Sequence, residues 1–280
     1  MSDPLRFDVC VSAQTPVVTD DLPPGVAERR WSPISSTLIS GERDAVLVDT
    51  FITLEQNRTL VEWIAEKEKN LTTIYATHGH GDHFFGVHTI RTRYPKARFV
   101  ATPDVIAIMR QQASSPVLES FWKSRFPGQI DSTLVIADEL AGSIELEGDE
   151  LMSVPLGHTD TDNTTCLHVP SIGLVVAGDA VYNDVHVFLA ESNFDSRKEW
   201  LAALDTIESL KPTAVVAGHK RPGAADTPNT IGGTRQYIRD FDQLATETQS
   251  AQDLYNRMLA LYPNRVNPGA LWSSARGVKH

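Results

Sequence analysis

The sequence is poor in sulfur, poor in positive charge and free of long apolar runs. Its 280 residues include two cysteines, Cys10 and Cys166, far apart and without CxxC spacing. That excludes a thiolate zinc cluster and a disulfide-stapled scaffold; two reduced, partly buried thiols are the simple reading, and one disulfide is the alternative. Lys and Arg number 25 against 36 Asp and Glu, a net charge of −11. A polyphosphate partner requires clustered cations, and none are clustered here, so nucleic acid is not an expected partner. No stretch approaches the roughly 20 apolar residues that span a bilayer. The start, Met1-Ser2-Asp3-Pro4-Leu5-Arg6, lacks the apolar core of a signal peptide. A membrane partner is therefore not expected, and the cytoplasm is the expected location. Solenoid-period repeats and low-complexity tracts are also missing.

What is present is an alternation of short apolar strands and amphipathic helices, on a chain long enough for a large core in one domain or two. Ser36 to Ser40 and Ala45 to Asp49 read as a hairpin around Gly41-Glu42-Arg43-Asp44. Leu54, Leu60, Val61, Trp63 and Ile64 keep helical spacing, and Leu71 to Ala76 reads as a buried strand. Helices are expected over Gly86 to Arg93 and Asp104 to Gln112, with a strand at Ala97 to Ala101 between them. The second half repeats the scheme: a hairpin over Ile144 to Glu147 and Glu150 to Val154, strands near Thr164 to Val169 and Leu174 to Ala177, a helix through Trp200 and Leu210, and a strand from Ala214 to Ala217. This is an α/β pattern. Residues 113–131 interrupt it with Phe121, Trp122 and Phe126 among polar residues. They read either as a short helix packing its aromatics on the core or as a lid that walls a substrate pocket. An apolar stripe from Tyr237 to Tyr262 predicts a C-terminal helical segment over about 231–262, packed on the body or forming a homodimer contact.

The chemistry concentrates in Thr77-His78-Gly79-His80-Gly81-Asp82-His83, directly after the strand at 71–76. Neutral imidazole nitrogen and carboxylate oxygen are ligands that zinc and its neighbours prefer. The interleaved glycines let the backbone turn tightly enough to aim successive side chains at one centre. Three more candidates follow apolar runs and a glycine: His158 in Leu156-Gly157-His158-Thr159, Asp179 in Ala177-Gly178-Asp179, and His219 in Ala217-Gly218-His219. Each suits a loop leaving a buried strand.

The His78-x-His80-x-Asp82-His83 pattern, followed in order by His158, Asp179 and His219, resembles the metallo-β-lactamase superfamily over roughly residues 35–220. The resemblance implies a single domain over 1–280, built as a four-layer αββα sandwich. It also implies two metal positions: His78, His80 and His158 at one, Asp82, His83 and His219 at the other, with Asp179 bridging. Two Zn²⁺ ions are expected, although iron, manganese or cobalt would suit the same donors. Three protein ligands per ion leave room for an activated water, the mark of a catalytic site.

Within that resemblance, Asp82 is expected both to bind metal and to orient or shuttle the proton of the nucleophile. Tyr182 is a candidate for hydrogen bonding a substrate carbonyl or oxyanion; the alternative is a loop tyrosine packing its ring. Asp49 is a candidate to receive the second N–H of a ligating imidazole. His186 has no counterpart and is a candidate to line the pocket, while His88, His168 and His280 read as ordinary helix, strand and tail residues. Flavo-di-iron members usually carry Glu where His80 stands, and the β-lactamases generally lack an aspartate at Asp179. The pattern therefore looks like the glyoxalase II and lactonase branch. The implied activity is a metallohydrolase that opens a small cyclic ester or amide, a lactone or lactam, with a metal-bound hydroxide. A glyoxalase II-like thioesterase, with Lys220 and Arg221 holding a substrate carboxylate, is the second reading. A mononuclear-iron persulfide dioxygenase is the third.

Overall fold

A computed structural model describes residues 5–279, so Met1 to Pro4 and His280 lie outside the described residues. In chain order the first half comprises β1 (Arg6–Val11), β2 (Pro16–Val17), β3 (Arg29–Arg30), β4 (Ser35–Ser40), β5 (Asp44–Val48), α1 (Leu54–Ala65), β6 (Asn70–Tyr75), α2 (Val87–Arg93), β7 (Arg98–Ala101), α3 (Pro103–Gln112), the short α4 (Ser115–Val117) and β8 (Asp138–Glu139). The second half holds β9 (Ile144–Leu146), β10 (Asp149–Gly157), β11 (Thr164–Val169), β12 (Leu174–Val176), β13 (Tyr182–Asn183), α5 (Phe194–Ser209), β14 (Ala214–Val216), β15 (His219–Lys220), α6 (Asn229–Glu247), α7 (Ala251–Leu261) and α8 (Pro268–Val278). One sheet runs β1-β4-β5-β6-β7-β8 and the other β14-β12-β11-β10-β9.

The layering follows from strand alternation, since successive side chains point to opposite faces. In the first sheet Ile39, Val46, Val48, Tyr75 and Val100 share one buried cluster with Leu151, Leu167, Leu174, Val176 and Val216 of the second. The two sheets therefore face each other. The alternate residues Leu38, Leu47, Ile74 and Phe99 pack outward on Leu60 and Ile64 of α1, Ile90 of α2, and Val105 and Met109 of α3. On the far side Cys166, Val175 and Val215 pack on Trp200 and Leu204 of α5 and on Tyr237, Ile238 and Phe241 of α6. Helix, sheet, sheet, helix is the expected four-layer sandwich. The two cysteines are free, Cys166 buried and Cys10 half-buried. Burial pushes their thiols up, to about 12 and about 11 respectively, so both stay protonated at neutral pH.

Two features differ from the sequence expectation. The C-terminal stripe is two helices, broken where Thr248 turns extended and Ser250 caps α7 by accepting from the Asp253 N–H. Serine and threonine side chains offer the backbone an alternative partner, which ends one helix and starts the next. The additional helix α8 was hidden in sequence by Gly269 and Gly277, poor helix formers; Pro268 at its first turn and a buried face of Ala270, Leu271, Ser274 and Ala275 establish it.

Candidate metal centre

The candidate ligands follow the ends of strands β6, β10, β12 and β14. β6 runs into a loop and a single 3₁₀ turn, Gly81 to His83, that carries the motif. The close packing there requires glycine: a Cβ on Gly81 would fall 2.3 Å from the Phe85 ring, and one on Gly79 would fall 2.5 Å from Ile108. β12 ends in the turn that carries Asp179. β14 delivers Gly218 and His219, held by Gly218 N–H donating to Gly178 O at 2.7 Å and Ser35 N–H donating to Gly218 O at 2.8 Å.

The structure gathers these side chains into overlapping groups: His78, His80 and Asp160; Asp82, His83 and His219; and Asp49, His78 and His83. Asp179 lies against the second group, its Oδ1 3.3 Å from His83 Nε2 and its Oδ2 3.0 Å from His219 Nε2. Asp82 Oδ2 is 3.6 Å from His219 Nε2 and 3.9 Å from His83 Nε2. Several of these atoms are close without bonding to one another: His78 Nε2, His83 Nε2, Asp160 Oδ2 and Asp179 Oδ1 are buried and have no hydrogen-bond partner. Unpartnered buried polar atoms are costly, and four aimed into one volume fit a bound cation.

The far side of each imidazole is already held. His78 Nδ1 meets the Thr77 hydroxyl at 3.0 Å, His83 Nδ1 meets Asp49 Oδ2 at 3.2 Å, and His219 Nδ1 donates to Pro33 O at 2.9 Å. For His80 the roles reverse, with Nε2 3.4 Å from Glu191 Oε2 and Nδ1 facing the cluster. Such partners fix tautomer and ring direction before a metal arrives. Asp49, as expected, is a supporting carboxylate. Both its oxygens accept from Thr77, by backbone N–H and hydroxyl at 2.8 Å each, and it sits at φ 60, a left-handed conformation that an aspartate tolerates.

The electrostatics match a cation site. Burial works against charging the rings, but Asp160 and Glu191 outweigh it at His80, and Asp179 and Asp82 at His83, so both imidazoles are raised well above the ordinary histidine range. His219 is raised too, against burial, by Asp179. Asp179 is held well below the carboxylate range despite its burial, through His219 and His83. Burial, reinforced by His83, lowers His78, which stays neutral.

Of the expected ligands, His158 and Asp179 belong to none of the three groups, and only Asp179 lies in contact with a member of one. β10 bulges between Pro155 and Gly157, Gly157 takes φ 76, and the following turn closes through Thr159 N–H donating to Thr161 O at 2.9 Å. His158 turns Nδ1 to Asp162 Oδ1 at 2.7 Å, and its Nε2 is buried without a partner. Asp160 points inward instead, its Oδ2 2.8 Å from His80 Nδ1 and 3.7 Å from His78 Nε2. The other expected positions are also resolved. The Tyr182 hydroxyl donates to Asp179 Oδ2 at 2.9 Å while its ring stacks on His219, centroids 5.5 Å apart. Burial and the Asp179 charge keep that hydroxyl protonated. His186 does not line the cleft; it is buried with Nδ1 3.0 Å from Tyr237 Oη. Lys220 is buried in an ion pair with Asp226, and neither it nor Arg221 reaches the cleft.

Above the cluster opens a cleft of about 420 Å³, walled by Trp31, Val117, Phe121, Trp122, Phe188 and Ala270, with His80, Asp82, Asp179, Tyr182 and His219 at its floor. Residues 113–131 pack aromatics on the core, as the first reading expected, and also contribute to the cleft wall. Trp122 and Phe126 are buried on the first core, and Phe121 and Trp122 also face the cleft. Trp31 was missed in sequence. Its ring packs edge-on against Phe121 and Phe126, and its Nε1–H donates to Asp82 Oδ2 at 2.8 Å.

Residues 29–219, more than half of the chain, match the model of the metallo-beta-lactamase superfamily. The chain belongs to the metallo-beta-lactamase superfamily. Three solved structures share the metallo-beta-lactamase fold at low identity. A metallo-beta-lactamase family protein from Thermus thermophilus is 19% identical with TM-score 0.64, over 96% of this chain and 91% of its own. A metallo-beta-lactamase from Pontibacter korlensis is 16% identical with TM-score 0.59, over 84% and 100%. The protein named VMB-1 is 15% identical with TM-score 0.57, over 86% and 94%. No curated protein matches the chain. As a metallo-beta-lactamase superfamily member whose His and Asp groups can hold metal, the chain carries the equipment of a metal-dependent hydrolase. Among the described residues no helix is long and apolar enough to cross a membrane.

Proposed function

We propose that this chain is a dinuclear metallohydrolase, zinc being the first candidate ion, that opens a small lactone or lactam. The reading is carried by one observation: unpartnered imidazole and carboxylate atoms converge at the floor of an aromatic-walled cleft. His78, His80 and His158 would hold one ion and Asp82, His83 and His219 the other, with Asp179 between them. Bound there, divalent ions supply a nucleophile from water at neutral pH and polarise a carbonyl oxygen.

The chain's own residues do the rest. Trp31, Phe121 and Phe188 exclude bulk water and offer apolar contact to an acyl group, in a volume suited to a small molecule. Asp82 orients the attacking water and carries its proton toward the leaving heteroatom. Tyr182 holds Asp179 through the hydrogen bond to Oδ2, and its hydroxyl stands at the cleft floor for a substrate carbonyl. The aromatic walls favour a compact, partly apolar acyl ring. Turnover of a panel of lactones, lactams and glutathione thioesters by metal-loaded protein tests this, with ring opening as the expected result. Turnover of thioesters alone would make it a thioesterase. Iron content with oxygen uptake on glutathione persulfide would make it a dioxygenase.

A further inference from the structure

We infer that Arg29 is a positioning residue of the hydrolytic site: bound to Asp21 and to the start of α8, it fixes the segment that presents the Trp31 indole to Asp82. The inference rests on the hydrolase reading above and extends it to a side chain that acts through Trp31. Arg29 opens β3, two residues before Trp31, with only 15% of its side chain exposed. Its guanidinium is spent on fixed acceptors. Nη1 donates to Asp21 Oδ2 at 3.1 Å and to Asp21 O at 3.2 Å, while Nη2 donates to Gly269 O at 2.9 Å and to the Ser273 hydroxyl. A planar fork of donors suits this task, because it holds a carboxylate and a carbonyl of two distant segments in one geometry. Taking the charge out of water is costly, and that full set of partners offsets the cost.

Helix α8 is shaped to receive this side chain. A Cβ on Gly269 would fall 2.9 Å from Arg29 Nε, so the glycine that weakens the helix makes room for the guanidinium. Asp21 is held from α8 as well: Trp272 Nε1–H donates to its Oδ1 at 2.9 Å, and Arg276 pairs with the same oxygen. On the other side of Trp31, the Asn267 side-chain amide donates to the Ser32 hydroxyl. Trp31 is thus bracketed by two anchors to the tail helix. Its ring packs on Phe121, Trp122 and Phe126, with centroids 5.4 to 6.3 Å away. Apolar packing is non-directional and tolerates a small slide, whereas the 2.8 Å bond from the indole to Asp82 Oδ2 is directional. A small displacement of the backbone at Trp31 therefore costs that bond before it costs the wall. Asp21, Gly269 and Ser273 all lie outside residues 29–219, so the anchor of a group at the reacting centre is built from the two ends of the chain.

Two measurements test the role. In protein labelled with ¹⁵N at tryptophan, the Trp31 indole N–H resonance, assigned through W31F, is expected to shift and to exchange faster with solvent in R29Q. That of Trp200, bonded to Ala180 O at 2.9 Å, is expected to stay in place. An unmoved Trp31 resonance overturns the inference. On the best substrate of the panel, R29Q is expected to lower kcat about 10-fold with KM nearly unchanged. Combined with W31F it is expected to cost nothing more, the double variant matching W31F within about 2-fold. Losses that multiply in the double variant would show a general weakening of the fold and overturn the route through Trp31. Should R29Q fail to fold, R29K takes its place, because an ammonium keeps the charge beside Asp21 but has no fork to hold Gly269 O as well. The same resonance and the same double variant then decide. A panel without turnover counts against the hydrolase reading alone, since the resonance still decides whether Arg29 places Trp31.

Discussion

Trp31 donates its indole N–H to Asp82 Oδ2 at 2.8 Å, the carboxylate oxygen that lies nearest the His83 and His219 nitrogens. The same indole forms part of the apolar wall, edge to Phe121. One side chain thus links the surface a substrate touches to a carboxylate at the reacting centre. Trp31→Phe keeps the wall and removes the donor. Loss of such a supporting bond typically costs about 10- to 100-fold in metal affinity or activity. The expected result is a kcat lowered by about 10-fold with KM nearly unchanged, read by steady-state kinetics on the best substrate of the panel.

Tyr182→Phe discriminates between two uses of that hydroxyl. Because the group donates to a buried aspartate, its removal strips one of that carboxylate's hydrogen bonds, at a cost of about 1–3 kcal/mol. A lower urea midpoint and weaker Zn²⁺ retention are expected if it holds Asp179. Unchanged metal binding with a lower kcat would assign it to the substrate instead.

Gly218→Ala should be damaging out of proportion to a methyl group. An added Cβ would fall 2.1 Å from Asp179 Oδ1 and 2.6 Å from the Gly178 carbonyl carbon. Backbone cannot yield as a flexible side chain can, and overpacking costs about 1–3 kcal/mol. A thermal midpoint lowered by several degrees, together with reduced metal content, is the expected outcome.

His186 supplies a pH dependence separate from the metal. Burial, with Arg265 nearby, lowers its imidazole to about 3 against an ordinary 6.5. The unfolded chain therefore binds the extra proton between those values, and stability rises with pH across that window. Acid removes this contribution progressively below pH 6.5. His186→Gln should flatten the profile: the wild-type advantage is expected to grow by about 2 kcal/mol from about pH 5 to 7, at roughly 1.36 kcal/mol per pH unit. Urea unfolding of both proteins at the two pH values measures it.

Much of this was legible in sequence because it is local. The continuous apolar runs Val46-Leu47-Val48 and Ile74-Tyr75 mark strands buried on both faces, and the motif at 78–83 names its own chemistry. The order of Asp179 and His219 after apolar strands placed them at the same sheet edge, and Asp49 was found in the same way. What escaped depends on turns and long-range packing. Asp160 meets His80 and His78 only because the turn after the bulge at Gly157 folds it inward. The sequence did carry a signal, since His158-Thr159-Asp160-Thr161-Asp162 offers two further carboxylates within reach of a turn. Trp31 meets Asp82 across 51 positions, and Glu191 meets His80 across 111, with no motif to announce either pairing. Helix α8 was hidden because its glycines weaken local propensity while tertiary burial supplies the stability.

Asn267 and Ala270, at the start of α8, form one side of the cleft, yet they fall after residue 219, where the shared family region ends. The cation-holding floor and this flank thus come from stretches of polypeptide far apart in the chain. Exchange or drift in the tail can reshape what enters the cavity while leaving the reactive machinery beneath it untouched.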